Sequence, residues 1–223
     1  MKNFIIPESI TDQISQETTD FLATHFQSKN VEKGQQFLWE GDPLDAVYMI
    51  VQGYLKVFHL SDGGREQVLM ILKEGDFVNA VSALQVLSFN HAHASALGRA
   101  VVGKMALADF NQAIHEYSDF ALLQMRDLAV KLSHMTDLVS DLSLRSTRQR
   151  LIQFLLQNDT QQAVVSGWTQ EEIAAQIGTV RDVVSRLLGL FSREGLIRIE
   201  RQRIILLDIQ RLRSELERMG NAT

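Results

Sequence analysis

The pattern of hydrophobic and polar residues changes twice along this chain. Phe21, Leu22 and Phe26 recur near helical spacing and predict short helices within the first thirty residues. From about Val31 to Met105, short apolar runs alternate with turns rich in Gly and Asp. The runs are residues 47–51, 54–58 and 68–72, and the turns are residues 41–43, 53, 62–64 and 75–76. Runs of this length between such turns predict strands of a compact β sandwich or barrel.

The period becomes helical from residue 118 to about residue 143, where there is no Gly or Pro. Apolar residues there step by 3, 4, 3, 4 and 3, which is a heptad seam sustained over about three heptads. The seam consists of Met125, Leu128, Leu132, Met135, Val139 and Leu142. So narrow a stripe favours a dimer between two copies of this helix, and the alternative is a helix packed on its own β domain.

Charged residues flank this seam and are expected to be solvated. They are Arg126, Asp127, Lys131, Asp137 and Asp141. The helix is expected to break at residues 144–147, where charged and hydroxyl side chains replace the seam.

A second pair of helices is predicted between residues 169 and 191. Thr169 and Glu172 have the spacing of a capping box that opens a short helix. Gly178 is expected to end that helix in a left-handed conformation, after which Thr179 can cap the next helix. This arrangement predicts a helix-turn-helix, whose second helix lies in the DNA major groove.

The second helix separates into two faces. Its inward face consists of Val183, Val184, Leu187, Leu188 and Phe191. Its other face carries Arg181, Asp182, Ser185 and Arg186, which suit base edges because Arg binds guanine bidentately and a carboxylate accepts from cytosine. The alternative is that Asp182 only completes a capping box with Thr179 and pairs with Arg186.

The residues after this helix predict a β hairpin. Residues 196–199 and 204–207 read as strands, and the charged residues 200–203 form the tip between them. A helix-turn-helix followed by a basic hairpin is a winged helix, in which the tip can contact the phosphate backbone.

Charge and cysteine content narrow the classes of function. The net charge of −5 argues against nucleic-acid binding only as an average. Residues 1–144 hold 10 basic against 18 acidic residues, hence −8, whereas residues 145–223 hold 12 Arg against 9 acidic residues, hence +3. The absence of cysteine excludes disulfides and Cys-held iron–sulfur clusters. Without a secretory signal or a long apolar segment, a cytoplasmic protein with no membrane partner is expected.

These motifs together resemble the Crp/Fnr family of bacterial transcription regulators. The resemblance rests on residues 169–174, 181–186 and 195–208, on the seam helix, and on the turns at Gly34, residues 40–42, Gly53 and residues 75–77. It implies an α+β fold with an N-terminal β-roll sensor domain (a double-stranded β-helix, jelly-roll-like) at residues 1–117. A dimerisation helix and hinge would follow at residues 118–144, and a winged helix-turn-helix at residues 145–223.

The resemblance also implies function. We expect a homodimeric regulator, not an enzyme, that reads near-palindromic double-stranded DNA and works with RNA polymerase, more often as an activator. Its ligand state would shift the seam and hinge and so re-aim the two reading helices. The residues implied in DNA contact are Thr169, Gln170, Thr179, Val180, Arg181, Asp182, Ser185, Arg186 and Arg201.

The effector is less well defined. The residues expected at the effector pocket are Gly75, Asn79, Ala80, Asn90, His91 and His93. Cyclic-nucleotide binders of this family use a Gly, a Glu and an Arg–Ser/Thr pair. A gapless alignment from Gly75 places Asn79 and Ala80 at the first two positions and Asn90 and His91 at the pair, which predicts against cAMP.

Alternatives to a cyclic nucleotide stay open. They are heme, raised by His91 and His93 pointing to one face of a strand, an unidentified small ligand, or no ligand. A distant alternative is a metal enzyme or ligand carrier that would use His91, His93, Asp109 and His115, although no metal site is predicted.

Overall fold

The computed structural model describes residues 4–159, 163–201 and 203–218. It divides into two compact units, one formed by Met1–His59 with Leu69–Thr136 and the other by Leu60–Val68 with Asp137–Thr223. Gln202, expected at the hairpin tip, lies outside the described residues.

Two antiparallel four-stranded sheets form the N-terminal part, in the orders β1-β8-β3-β6 and β2-β7-β4-β5. Their strands are β1 (Gln27–Val31), β2 (Gln36–Leu38), β3 (Ala46–Gln52), β4 (Leu55–Leu60), β5 (Glu66–Leu72), β6 (Phe77–Val78), β7 (His93–Ala96) and β8 (Ala100–Ala106). The first five residues of β3 are all buried, because both faces of this central strand are covered. The predicted β-roll is confirmed.

The turn between β3 and β4 requires glycine. Gly53 has a φ of 91°, and a Cβ there would lie 2.7 Å from the carbonyl oxygen of Arg99. Any side chain would therefore be both strained and in collision with backbone.

Helices pack against this double sheet. They are α1 (Glu8–Thr11), α2 (Gln16–His25), α3 (Ala80–Leu84), α4 (Leu107–Glu116) and α5 (Ser118–Leu144). The start of α5 is buried through Phe120, whose ring meets Phe77 and Phe110 edge-on at centroid distances of 5.9 and 5.8 Å. Edge-to-face pairs of this kind add about 0.5–1.5 kcal/mol beyond burial. The first turn of α5 is therefore part of the sensor core.

The C-terminal part is a winged helix-turn-helix. It contains α6 (Thr147–Gln157), β9 (Val164–Ser166), α7 (Gln170–Ile177), α8 (Arg181–Arg193), β10 (Ile197–Glu200), β11 (Arg203–Leu206) and α9 (Ile209–Arg218). The strands form one antiparallel sheet in the order β10-β11-β9. Helix α6, strand β9 and helix α9 are additional to the elements predicted above.

The helix break predicted at residues 144–147 is present. Helix α5 ends at Leu144, and Ser146 opens α6 with a capping box in which the Gln149 side chain accepts the Ser146 backbone N–H. A new cap so close to the end of α5 explains why the chain forms two helices instead of one.

The first turn of α5 is also tied to α2. The Asp119 carboxylate accepts hydrogen bonds from the Ser15 backbone N–H at 2.6 Å and from the Thr18 hydroxyl at 2.8 Å. Burial opposes ionisation of Asp119, but these hydrogen bonds outweigh it and the pKa of Asp119 is lowered.

We expect Asp119→Asn to destabilise the protein by about 1 kcal/mol at pH 7, because two bonds to a charged acceptor are weakened. A lowered pKa means that the native carboxylate stabilises the fold above its unfolded pKa and that this contribution is lost as the pH falls. Urea unfolding should therefore show a difference at pH 7 that shrinks at an acidic pH below the native pKa of Asp119. Asp137→Asn, at an exposed position on the same helix, is the matched control. An equal loss at both pH values would contradict the assignment.

Candidate nucleic-acid interface and sensor cavity

The helix-turn-helix begins with the predicted capping box. The Thr169 hydroxyl accepts the Glu172 N–H at 3.1 Å, and the Glu172 carboxylate accepts the Thr169 N–H at 2.7 Å. Helix α7 ends at Gly178, which has a φ of 68° and donates its N–H to the Ala174 carbonyl. Both ends of α7 are thus as expected from the sequence.

The prediction that Thr179 caps the second helix is wrong. The Thr179 N–H donates to the Ala174 carbonyl at 2.9 Å and so still closes α7. The N-cap of α8 is Val180, which makes no side-chain capping bond. Thr179 and Val180 therefore form the turn, and α8 starts at Arg181.

Helix α8 presents the polar face that was expected. Val184, Leu188 and Phe191 are buried in the core of the winged helix. The residues exposed along the opposite face are Arg181, Asp182, Ser185 and Arg186. In the part of the chain that the structure describes, the side chains of Asp182 and Arg186 make neither a hydrogen bond nor an ion pair. The alternative capping and salt-bridge roles are therefore wrong, and both side chains are available to a ligand.

The two helices share a hollow at their N-termini. It has a volume of about 370 Å³ and is lined by Thr169, Gln170, Glu171 and Arg181. The structure thus brings the first residues of α7 beside the first residue of α8, as contact of both helices with one nucleic-acid backbone requires.

Among the described residues of the wing, Arg201 is a cation without an ion-pair partner, and it lies beside a neutralised cluster. Glu200 pairs with Arg203 at 2.6 Å and with Arg198 at 3.2 Å. Hydrogen bonding from Arg203, followed by the nearby charge of both arginines, lowers the pKa of Glu200. Arg201 is exposed and makes no ion pair with any described residue. Arg201 is therefore the wing cation best placed to bind a phosphate.

The orientation of α8 is fixed by a group that the sequence pattern did not reveal. Arg148 in α6 pairs with Glu194 at 2.6 Å and with Glu215 at 2.8 Å, and its guanidinium lies 4.6 Å from the ring centroid of Phe191. These contacts join α6, the end of α8 and α9. The three partners are too far apart in sequence for local spacing to predict them.

The sensor part encloses a cavity of about 470 Å³. Its walls come from β4, β5, β6, α3, residues 91–92 and α5. Most lining side chains are aliphatic or aromatic, as in typical small-molecule sites. This cavity is the candidate effector site.

The sequence identified only part of this site. Asn79 and His91 line the cavity, whereas Gly75, Ala80, Asn90 and His93 do not. Ala80 is 1% exposed and packs in the core that contains Phe77 and Phe110, and Gly75 forms the turn after β5. The prediction that these four residues line the effector pocket is therefore wrong for this cavity.

The side chains of Asn79 and Asn90 are joined by a hydrogen bond. Asn79 has a φ of 67°, a left-handed conformation that favours Gly and that Asn tolerates. Its amide donates to Asn90 Oδ1 at 2.9 Å and to the Ala46 carbonyl at 3.3 Å, while the Asn90 amide donates to the Trp39 carbonyl at 3.1 Å. The Asn79 amide thus uses both of its N–H donors within the protein, and the Asn90 amide uses one of its two.

His91 precedes strand β7 and lines the cavity, whereas His93 lies in the strand and does not line it. Strand β7 begins only at His93, so the alternation expected of a strand does not extend to His91. His93 accepts the Glu40 N–H at 3.1 Å and stacks on Phe58 at 5.2 Å. The described residues contain no group of three or more His, Asp or Glu side chains that could hold a metal.

Two of the charges expected to be solvated are interior instead. Lys131 is 9% exposed and donates to the Phe77 carbonyl at 2.8 Å and to the carboxylate of Asp127, four residues earlier. Burial raises the pKa of Asp127 against the opposing effect of Lys131. Lys131 also lines the cavity, together with the seam residues Leu128, Leu132 and Met135.

The winged helix-turn-helix and the β-roll define the class of protein, a DNA-binding regulator with an N-terminal β-roll domain. Family models agree: the cyclic nucleotide-binding domain matches residues 28–117, and the Crp-like helix-turn-helix domain matches residues 149–215. The chain belongs to the Crp/Fnr family of transcription regulators, and α8 lies within its DNA-binding domain.

Relatives of known role are similar over most of the chain. The global nitrogen regulator of Synechococcus elongatus is 27% identical, over 80% of this chain and 84% of its own length. The CRP-like cAMP-activated global transcriptional regulator of Mycobacterium tuberculosis is 26% identical, over 86% and 88%.

Solved structures show the same fold. A crp/fnr-family protein of Eubacterium rectale superposes with a TM-score of 0.79 at 21% identity, covering 92% of this chain and 96% of that one. The c-di-GMP responsive global regulator CLP of Xanthomonas campestris also has a TM-score of 0.79, at 17% identity, covering 86% of this chain and 99% of that one.

Among the described residues, no helix is long and apolar enough to cross a membrane.

The interior ion pair makes a direct prediction about stability. Lys131→Met should destabilise the protein by about 3 kcal/mol at pH 7, because it leaves the Asp127 carboxylate buried without its partner. Adding Asp127→Asn should restore most of this loss. The loss in the single variant should also shrink as the pH falls, because a group with a raised native pKa favours the folded state when it is protonated.

Denaturant unfolding of the single and double variants measures this effect. Arg126→Met, at an exposed position on the same helix, is the control and should change stability by less than about 0.5 kcal/mol. A double variant no more stable than Lys131→Met would contradict an interior pair.

Proposed function

We propose that this regulator acts as a homodimer that reads near-palindromic DNA through helix α8. The observation that carries the proposal is the unpaired state of Asp182 and Arg186 on an exposed helix face that also presents Arg181 and Ser185. Side chains already engaged in salt bridges would have to exchange partners to read bases, and these do not. Arg181 and Arg186 are assigned to guanine and Asp182 to cytosine N4.

Contacts outside α8 would set the register on the duplex. Thr169, Gln170, Thr179 and Val180 lie at the N-terminus of α7 and in the turn before α8, where backbone N–H groups favour phosphate oxygens. Arg201 at the wing tip supplies a second phosphate contact. Such contacts orient the protein without discriminating between sequences.

The homodimer is supported by apolar exposure along α5. Met125 is 59% exposed, Leu132 69% and Val139 62%. A solvent-exposed stripe of large apolar side chains at heptad spacing is unfavourable in a monomer and is buried when two such helices pair. Two half-sites about one helical turn apart would then match the twofold symmetry of the protein. RNA polymerase is the further partner that membership of the family implies.

The sensor is proposed to take an effector other than a cyclic nucleotide. The relatives differ in this respect, since one is described as cAMP-activated and a structural neighbour as c-di-GMP responsive. In this chain both amide N–H donors of Asn79 and one of Asn90 bind protein acceptors, and the charge of Lys131 is balanced by Asp127. Only one of the two histidines that raised heme as an alternative, His91, lines the cavity.

The reading residues are tested with duplexes selected from a random pool by the full chain. Arg186→Ala and Arg181→Ala should each weaken the selected duplex by about 1–3 kcal/mol and relax preference at one position of the half-site, because a base contact is lost. Arg201→Ala should weaken all duplexes equally and reduce the salt slope by about 1. Fluorescence anisotropy at several salt concentrations measures both effects.

Arg213→Ala is the matched control, because Arg213 is exposed on α9 and lies outside the proposed surface. It should leave base preference unchanged. If Arg186→Ala and Arg213→Ala behave alike, or if no duplex is preferred at any salt concentration, α8 is not the reading helix.

The dimer is tested on the same helix. Val139→Asp should convert the protein to a monomer in sedimentation velocity, because a charge is placed in the apolar seam. Ser133→Asp adds the same charge at an exposed position beside the seam and should leave the dimer intact. A wild-type protein that sediments as a monomer at micromolar concentration, or equal effects of the two variants, would contradict the proposed seam.

A further inference from the structure

We propose that the sensor cavity binds an uncharged, largely apolar molecule with a carbonyl-type acceptor, held by the ammonium group of Lys131. The inference rests on the proposed function, in that this molecule would be the effector of the regulator. It goes further by assigning the chemical class of the ligand.

The charge balance of the cavity disfavours an anion. Lys131 is the only Lys or Arg among the described residues that line it, and its charge is matched by Asp127. An entering carboxylate or phosphate would leave a net negative charge in an apolar interior, at a cost of several kcal/mol. An uncharged ligand leaves the Lys131–Asp127 pair intact.

The cavity nevertheless offers hydrogen-bond donors. An ammonium group has three N–H donors, and those of Lys131 have two protein acceptors, the Phe77 carbonyl and the Asp127 carboxylate. Ser82, 1% exposed, accepts the His91 N–H at 3.3 Å and keeps its own hydroxyl hydrogen for donation. A buried donor without an acceptor is destabilising, so a ligand that supplies a carbonyl oxygen relieves that cost.

The remaining residues that line the cavity favour an apolar ligand. Leu69, Met70 and Leu72 of β5 line the cavity together with Leu128 and Met135 of α5. A ligand that removes the apolar surface of such walls from water gains binding free energy. Ribose hydroxyls or a phosphate would forfeit this gain, whereas an alkyl chain or an unsubstituted ring would realise it.

The position of the cavity gives the ligand a route to regulation. Leu128, Leu132 and Met135 belong both to its wall and to the proposed dimer seam. A ligand that packs on these side chains changes the surface that one helix offers to the other. Its binding and the pairing of the helices are therefore linked.

Calorimetric titration of the full chain with matched probes tests the class. The uncharged probes are γ-decalactone and 2-decanone. Decanoate has the same number of carbon atoms but is anionic, and cAMP and hemin complete the set. The lactone or the ketone should bind at least about tenfold more tightly than decanoate, and cAMP and hemin should not bind.

Two variants test the site. The double variant Lys131→Met with Asp127→Asn removes the donor without leaving a lone buried charge, and should weaken the uncharged probe by about tenfold or more. Val81→Trp should abolish binding by filling the cavity. Arg126→Met, at an exposed position on the same helix, should have no effect. Circular dichroism confirms that each variant is folded.

Several results would overturn the assignment. They are tighter binding of decanoate or cAMP than of the uncharged probes, a shifted Soret band with hemin, or binding that neither cavity variant reduces. Binding of an uncharged probe to monomeric Val139→Asp but not to the dimer would also overturn it, because a partner side chain would then fill the cavity.

Anisotropy with the selected duplex separates this inference from the proposed function. Preparations that bind DNA but no uncharged probe refute the ligand class alone. Preparations that bind the probe but prefer no duplex refute the proposed function and leave the ligand class standing.

Discussion

Helix α5 carries apolar side chains on more than one face, and each of these faces has to be buried. The rest of the structure depends on that constraint. The helix spans 27 residues, or about 40 Å. Phe120 and Leu123 bury one stripe in the sensor core, whereas Met125, Leu132 and Val139 remain exposed on another. A rotation of the helix that buried the second stripe in the same core would expose the first. A second copy of the helix is the partner proposed to cover the exposed stripe.

Helix α5 also carries a largely buried ion pair between Lys131 and Asp127. Buried ion pairs stabilise little against apolar replacements, but loss of one member is costly. The pair therefore contributes less to the stability of the sensor than to its selectivity, since it fixes a positively charged donor in an otherwise apolar cavity. The same helix thus provides a wall of the proposed ligand site and the proposed dimer seam.

Local signals in the sequence predicted the helix-turn-helix well, because caps and turns depend on residues a few positions apart. Thr169, Glu172 and Gly178 illustrate this. Thr179 failed because one side chain can cap α8 only if the backbone has already left α7, which local spacing does not decide. The prediction that Lys131 is solvated was wrong for a different reason. A lysine beside an apolar seam is normally solvated, and only the fold brings the Phe77 carbonyl to it. The cavity was predicted least well, since its lining comes from six separate segments.

The central claim is that two copies of α8, held in fixed relation by paired α5 helices, read two half-sites together. The most direct measurement is the affinity of the full chain for selected duplexes whose half-site centres are about 10 or about 15 base pairs apart. Five extra base pairs place the second half-site on the opposite side of the duplex. The account predicts two chains bound per duplex at the shorter spacing and an affinity at least about tenfold lower at the longer one. Equal affinity at both spacings, or one chain bound per duplex, would contradict it.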